Sequence, residues 1–281
     1  MMRARFFALF AVLLFAVVCV AAPDEAQPAV VDRYPDIAAA YVVAVDGEIK
    51  WAGKPDEPRQ PASLAKLLSA LVLLESGWNP EALVTVSASA AGVEGSRIGL
   101  KRGEQLRAAD LLTGMLVRSG NDACLALAEH AAGSIAAFAK RMNQHAARIG
   151  MKNSNFVHPC GLDAPGQRTT ARDLLLLAEA ARKVPEIRKR SAMASAVIHT
   201  TAKRELSFNN TNALIGRATD VNGLKSGYTS GAGNCVIALG ERAGHYAIVI
   251  LLDGNDRWWD ASGLIAQALG TVAPPSDKRK E

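Results

Sequence analysis

The sequence predicts a protein of the α/β (α+β) class, with one antiparallel sheet built from N- and C-terminal strands, covered by helices and carrying an inserted helical lobe. Strand-like segments on either side of a short turn near the N-terminus are the first observation behind this prediction. Helical patterns from about residue 104 to 190 are the second, and the return of strand composition from residue 196 is the third. Strands at both ends with helices between them favour a single sheet and a separate helical lobe.

The N-terminal third is predicted to hold a hairpin and one long helix. Ala38–Val45 is predicted as a strand and Glu48–Ala52 as its partner, because Asp46-Gly47 between them is a typical hairpin turn. A loop with three prolines follows and leads to Ser63. A helix is expected from there to about Ser76, with Gly77 as its C-terminal stop.

The middle of the chain is predicted to be helical. Before it, residues 82–90 are ambiguous and residues 92–103 are predicted as a loop with short extended pieces. Thr170 opens a capping box, which marks the start of the last helix of this block. The predicted helices are Ala109–Val117, Asp122–Ala132, a helix capped by Ser134 that reaches Ile149, and Leu174–Ala181.

The C-terminal third is predicted to supply the remaining strands of the sheet. A closing helix is expected over Arg257–Leu269, and residues 273–281, with two prolines and several charges, are expected to be a disordered tail. The predicted strands are Ala196–Thr201, Lys203–Ser207, Val221–Ser226, Asn234–Gly240 and Tyr246–Leu252.

Composition and the N-terminus indicate an exported globular protein. The 281 residues are 49% hydrophobic and 21% charged, with a net charge of +5, or 5 − 2 = +3 after removal of Arg3 and Arg5. This is too mild a charge to suggest a nucleic-acid partner, and no basic block is interleaved with aromatic residues. Residues 1–22 have the basic start, apolar run and small-residue end of a signal peptide. The protein is therefore expected in the periplasm or outside the cell, without an integral membrane anchor after processing; an uncleaved N-terminal anchor is the alternative.

Cysteine and histidine positions give no support for a metal site. After processing, Cys124, Cys160 and Cys235 remain, so at most one disulfide can form, and the sequence leaves its pairing open. The five histidines are scattered without the spacing of metal ligands. Neither a metal nor another cofactor is expected.

A Ser-x-x-Lys sequence at the start of the long helix is the first candidate for catalysis. Ser63 and Lys66 fall on the same side of the first turn, so the hydroxyl and the amine can meet. A lysine with a lowered pKa can take the serine proton, and free N–H groups at a helix start suit the oxyanion of acyl transfer. On its own the pattern also fits an N-cap serine beside a solvated lysine.

Two later motifs carry further polar groups. Ser119-Gly120-Asn121 interrupts two helices, which places a hydroxyl and an amide on a loop tip that can face a cleft. Lys225-Ser226-Gly227 ends a predicted strand, where a fixed cation and a hydroxyl can hold an extended peptide with a free carboxylate. Taken singly, these motifs also fit an ordinary turn and a solvated strand end.

In this order and context, the three motifs resemble those of the penicillin-recognising serine enzymes. More narrowly, the chain resembles the low-molecular-mass D-alanyl-D-alanine peptidases, the peptidase S11 family. The resemblance covers about residues 33–270, which it implies form one penicillin-binding catalytic domain of DD-peptidase/β-lactamase-like fold. The flanking segments that add to the resemblance are Asp122-Ala123-Cys124, Gly161-Leu162-Asp163, Thr170-Ala171-Arg172-Asp173 and Gly227-Tyr228-Thr229.

The resemblance implies a role for each site residue. Ser63 would be the acylated nucleophile, Lys66 its general base and Ser119 the proton relay to the leaving group. Burial and a neighbouring cation are expected to lower the pKa of Lys66. The N–H groups of residues 63 and 228 would form the oxyanion hole. The residues implied to bind substrate are Asn121, Lys225, Ser226, Gly227 and Tyr228.

The implied substrates are peptidoglycan stem peptides, cleaved at a D-Ala–D-amino-acid bond, with β-lactams as covalent inhibitors.

The chain departs from the usual family pattern in two ways. Ser226 stands where the family usually has threonine. Only about a dozen residues follow the last predicted helix, so neither a C-terminal β-domain nor an amphipathic anchor is expected. That length and Asn210-Thr211-Asn212 resemble the endopeptidases, whereas Ser119-Gly120-Asn121-Asp122 resembles the carboxypeptidases. Endopeptidase action is the favoured expectation, and carboxypeptidase action stays open.

Two other functions compete with a peptidase. A class A β-lactamase deacylates with a glutamate that follows the second motif, but residues 157–170 contain no glutamate. A catalytically silent peptidoglycan- or penicillin-binding protein would not need a complete set of catalytic side chains, and all of them are present here.

Overall fold

The computed structural model describes residues 30–75 and 77–270. Strands occur in the N-terminal and in the C-terminal part of this range, with most of the helices between them. The predicted signal peptide (1–22) and tail (273–281) lie outside these residues. The strands are β1 (Ala38–Val45), β2 (Glu48–Gly53), β3 (Leu83–Thr85), β4 (Gln105–Arg107), β5 (Ser195–His199), β6 (Glu205–Asn209), β7 (Val221–Thr229), β8 (Gly233–Arg242) and β9 (His245–Gly254). The helices are α1 (Ala65–Glu75), α2 (Ala88–Gly92), α3 (Ala108–Val117), α4 (Asn121–Ala132), α5 (Ile135–Arg148), α6 (Ala171–Ala181), α7 (Pro185–Ser191) and α8 (Arg257–Ala268).

The main sheet has five strands in the order β2-β1-β9-β8-β7, and all its neighbours are antiparallel. N-terminal β1 lies between β2 and C-terminal β9, so the prediction of one sheet from both chain ends is confirmed. The predicted hairpin turn is confirmed as well, with φ of 50° at Asp46 and 89° at Gly47, as a primed turn requires. Strand β7 is at one edge.

Both faces of the sheet are buried. In β1, Val42 and Val43 belong to two different hydrophobic clusters, because successive side chains of a strand point to opposite faces of the sheet. The larger cluster joins one face to α1, α6 and the helical lobe, while the smaller one joins the other face to α8. Helix α1 is therefore apolar on nearly every side, as expected for a helix between a sheet and a lobe.

Three predictions about the elements need correction. Strands β5 and β6 form their own two-stranded sheet instead of joining the main one, and Thr201 N–H donates to the carbonyl of Gln105 in β4. Strand β7 continues past Ser226 to Thr229, because its last residues pair with the start of β8. The capping box of α6 is only half formed: Thr170 accepts from the N–H of Asp173, whose carboxylate accepts from Asn153 N–H instead.

Within the described residues, none of the helices is long and apolar enough to cross a membrane.

Candidate active site

Three separate elements meet where α1 begins. A 3-10 turn over Ala62–Leu64 leads into α1 and carries Ser63. The break between α3 and α4 in the helical lobe lies on one side, and edge strand β7 on the other. The site is therefore built at the junction of sheet, central helix and lobe.

Lys66 lies at the centre of the hydrogen-bond network. Its Nζ is 2.7 Å from Ser63 Oγ, 2.7 Å from Asn121 Oδ1 and 2.7 Å from the carbonyl oxygen of Cys160. The amide and carbonyl oxygens can only accept, so in a neutral amine they take both N–H groups. The lone pair of the amine is then left to face the hydroxyl of Ser63, which is the orientation a general base needs.

The surroundings of Lys66 favour this neutral form. Lys66 is fully buried, and burial followed by the nearby Lys225 lowers its pKa well below the usual lysine value, while Asp122 acts in the opposite direction. The direction and both causes agree with the expectation from sequence. His158 is close by; burial is the main cause that lowers its pKa to about 4, and Lys66, in its protonated form, adds to the effect.

Lys225 forms a second network on the β7 side of the site. Its Nζ donates to Ser119 Oγ over 2.9 Å and to the carbonyl of Ser226 over 2.8 Å. Burial, and then the charge of Arg257, lower the pKa of Lys225 to about 7. The sequence suggested that Lys225 is a fixed cation, but its pKa is close to neutral pH.

The Ser-x-Asn motif is a buried break between helices. Ser119 lies in the break between α3 and α4 with a φ of 61°, and Asn121 is the first residue of α4. Both are buried, with 4% and 3% of their surface exposed. Asn121 accepts from Lys66 and donates through Nδ2 to the carbonyl of Glu94 over 2.6 Å. The carboxylate of Asp122, next in sequence, accepts from the N–H groups of residues 98–100 and holds that loop beside the site.

Two glycines let neighbouring segments approach the nucleophile. A Cβ at Gly227 would be 2.8 Å from the N atom of Ser63 and 2.8 Å from Ala62 Cβ. Gly161 has a φ of 81°, and a Cβ there would overlap the carbonyl oxygen of Ala62. The backbones of β7 and of the 161 segment therefore pack directly on the turn that carries Ser63.

Sequence reasoning missed two groups that complete the site. Arg257, at the start of α8, donates to the carbonyl of Gly227 over 2.6 Å, and the carbonyl of Cys160 accepts from Lys66. Thr211, noted in the sequence only as part of Asn210-Thr211-Asn212, has its Oγ1 3.2 Å from Ser226 Oγ. Backbone carbonyls leave no sequence signal, and a single arginine becomes recognisable only once α8 and β7 are placed side by side.

The far end of β7 is fixed by Asp163. Its carboxylate accepts from Thr229 Oγ1 over 2.6 Å and from Gly231 N–H over 2.9 Å. Tyr228, directly before Thr229 in β7, is 64% exposed. Throughout residues 30–75 and 77–270, no cluster of three or more His, Cys, Asp or Glu side chains is arranged to hold a metal ion.

This fold, with Ser63 beside a buried lysine and a second lysine on the edge strand, defines the class of penicillin-recognising serine enzymes. The sequence profile of the Peptidase S11 family, D-alanyl-D-alanine carboxypeptidase, matches residues 27–256. The chain belongs to the peptidase S11 family.

Sequence relatives and a solved structure agree with this assignment. D-alanyl-D-alanine carboxypeptidase DacD of Escherichia coli (strain K12) is 37% identical over 224 residues, which are 73% of this chain and 55% of the relative. A D-alanyl-D-alanine endopeptidase of Pseudomonas aeruginosa is 32% identical over 248 residues, 84% of this chain and 78% of the relative. The crystal structure of a D-alanyl-D-alanine carboxypeptidase from Mycobacterium tuberculosis superposes with a TM-score of 0.79 at 27% identity, covering 87% of this chain and 96% of that one. The chain spans about 55–61% of the first carboxypeptidase relatives it matches.

Proposed function

We propose that this protein is a serine-type D-alanyl-D-alanine peptidase, which cleaves D-Ala–D-amino-acid bonds of peptidoglycan stem peptides through an acyl-enzyme on Ser63. The observation that carries the proposal is the position of Lys66 Nζ, 2.7 Å from Ser63 Oγ and held by two obligate acceptors. Peptidase S11 membership supports the substrate class.

The reaction begins when Lys66 takes the hydroxyl proton of Ser63 and Oγ attacks the D-Ala carbonyl carbon. The N–H groups of residues 63 and 228 stabilise the resulting oxyanion. The C–N bond then breaks, and the leaving amine receives its proton through Ser119, whose hydroxyl is bridged to Lys225. Water hydrolyses the ester and returns Ser63 to its free form.

The substrate binds along the free edge of β7 as an added strand. Lys225 becomes a cation when a substrate carboxylate comes near, since an opposite charge raises the pKa of an amine. Ser226 Oγ donates to the same carboxylate, and Arg257 adds positive charge behind the strand.

The β-lactamase alternative has less support. Residues 157–170 contain no glutamate, and the one carboxylate there, Asp163, is engaged by Thr229 and Gly231. A penicillin adduct on Ser63 is therefore expected to persist for minutes or longer.

Labelling with a fluorescent penicillin tests the proposal. The purified chain should become covalently labelled and Ser63→Ala should not. Ser207→Ala, which changes an exposed serine of β6, should label like the parent. Labelling of Ser63→Ala at the parent level would disprove the assignment of the nucleophile. Rapid turnover of a chromogenic β-lactam would favour the β-lactamase.

Within this class, we favour endopeptidase cleavage of cross-linked muropeptides over carboxypeptidase action. The Asn210-Thr211-Asn212 segment supports this choice, and so does the P. aeruginosa endopeptidase relative, 78% of whose length is matched. The deciding assay incubates the protein with a cross-linked dimeric muropeptide and with a monomeric pentapeptide. Monomers released from the dimer alone mean an endopeptidase, and D-Ala released from the pentapeptide alone means a carboxypeptidase. Activity on neither, despite labelling, would instead support a silent penicillin-binding protein.

Export is also part of the proposal. Residues 1–22 are proposed as a cleaved signal peptide, so the mature protein should occur in the periplasmic or secreted fraction, shortened by about 22 residues. Intact mass measurement of the protein from each cell fraction tests this. Recovery of the full-length chain only in detergent extracts would mean that the apolar segment stays as an anchor.

A further inference from the structure

The disulfide between Cys124 and Cys160 lies beside the candidate base. Both cysteines are buried, and their Cα atoms are 5.9 Å apart. Cys124 is in α4, three residues after Asn121, and Cys160 is in a segment without helix or strand between α5 and α6. The bond therefore joins the helical lobe to an irregular segment.

Each end of the disulfide adjoins one acceptor of Lys66. Asn121, one helical turn before Cys124, supplies Oδ1, and Cys160 supplies its own carbonyl oxygen, each 2.7 Å from Nζ. The first acceptor is carried by α4, and its amide is oriented by the hydrogen bond from Nδ2 to the carbonyl of Glu94. The second acceptor has no helix or strand to fix it; Pro159 accepts from Ser69 Oγ, and Cys160 N–H donates to His158.

We propose that the Cys124–Cys160 disulfide is a positioning element for catalysis, which keeps the Cys160 carbonyl against Lys66 so that the lone pair of the amine faces Ser63. The inference rests on the proposed function. With that carbonyl displaced, the amine keeps one fixed acceptor and can rotate away from the hydroxyl. The non-covalent binding of a β-lactam along β7 does not involve Cys160, so it should be unaffected.

The test separates the dissociation constant of a penicillin from its maximal acylation rate constant, in the parent and in the double variant Cys124→Ala/Cys160→Ala. The acylation rate constant should fall about 10- to 100-fold, since small misplacements of catalytic groups cost this much. The dissociation constant should stay at the parent value. Leu264→Ala, a buried truncation on the other face of the sheet, serves as the stability control and should acylate like the parent.

A reduction experiment covers the case in which the double variant fails to fold. The parent is treated with a dithiol, which passes two hydrogen atoms to the bond and closes into its own disulfide, until two additional thiols are titrated. The rate constant should fall by the same factor and recover when glutathione disulfide restores the bond.

The outcomes keep the two hypotheses apart. A parent that penicillin never acylates rejects the proposed function, and this inference with it. A parent that is acylated, together with a folded double variant or reduced protein that reacts at the parent rate, rejects the positioning role alone and leaves the disulfide as a purely structural link. An equal loss of rate in Leu264→Ala would also reject it, because general destabilisation would then explain the effect.

Discussion

At the scale of single residues, the site is governed by two lysines buried in one network. Neither has a carboxylate among its hydrogen-bond partners within the described residues. Burial disfavours the charged form of both, and a neighbouring cation adds to it, Lys225 for Lys66 and Arg257 for Lys225. The pKa of Lys66 is lowered well below the usual lysine value, and that of Lys225 is lowered to about 7. This difference fits the proposed roles, Lys66 as the general base and Lys225 as a group that binds substrate.

In the variant Lys225→Gln, the loss of acylation rate at acidic pH should begin at a higher pH than in the parent. The charge of Lys225 is the second cause of the lowered pKa of Lys66, so its removal raises that pKa, and Lys66 becomes protonated at a higher pH than in the parent. The measurement is the penicillin acylation rate constant between pH 5 and 9. The loss of rate should be larger at pH 6 than at pH 8.5. Lys225→Arg keeps the positive charge, so its pH profile should match that of the parent. An unchanged pH profile in Lys225→Gln would contradict the electrostatic explanation.

At the scale of elements, the site depends on close backbone packing. Strand β7 and the segment at Gly161 reach the turn of Ser63 because both present glycine at the contact. The donor from Arg257 to the Gly227 carbonyl adds α8 to the same junction. An element that shifts by a fraction of an ångström therefore changes the geometry around the nucleophile.

Gly227→Ala should reduce acylation about 100-fold while the protein stays folded. The new Cβ would lie 2.8 Å from Ser63 N and from Ala62 Cβ, closer than backbone atoms can tolerate, so β7 or the turn must move. Acylation kinetics and a thermal melt measure the two effects. The matched control is Gly254→Ala on β9, where the nearest atom is 3.5 Å away, and its rate should equal that of the parent. A normal rate in Gly227→Ala would show that the contact has no catalytic consequence.

Some of these elements could be predicted from the sequence, and others could not. The hairpin β1–β2 and the break at Ser119 followed from local turn and periodicity rules, and the structure has both. The separate β5–β6 sheet could not be predicted, because strand composition does not say which partner a strand will choose. The role of Arg257 could not be predicted either, because it contacts Gly227 in β7, which is 30 positions away in the sequence. The pairing of Cys124 with Cys160 likewise needed the positions of α4 and the irregular segment.

At the scale of the whole molecule, buried basic groups make stability depend on pH. A group whose folded pKa is depressed contributes stability that is present above its unfolded pKa and is lost as pH falls toward the folded value. His158, with a folded pKa of about 4 against 6.5, acts in the range between these two values. The unfolded chain takes up the proton first, so acid favours unfolding.

The free energy of unfolding should therefore fall between pH 6.5 and 4, with His158 contributing about 1 to 2 kcal/mol after allowance for solvent screening. Urea unfolding at a series of pH values measures it. His158→Asn, which keeps an acceptor for the Cys160 N–H, should show a shallower decline over that range. A variant with the same slope as the parent would mean that other groups cause the acid sensitivity.

The order of strands in the sheet has a consequence for how the protein is made. Synthesis delivers the N-terminus first, yet β1 has its second neighbour in β9, near the other end of the described chain. The acceptors of Lys66 follow it by 55 and 94 residues, and Lys225 follows Ser119 by 106. A partly emerged chain consequently carries a serine with ordinary reactivity beside a solvated, protonated lysine. Only the addition of the last strands creates the buried junction around Ser63 and Lys66, so the proposed nucleophile becomes reactive in the same step that completes the fold.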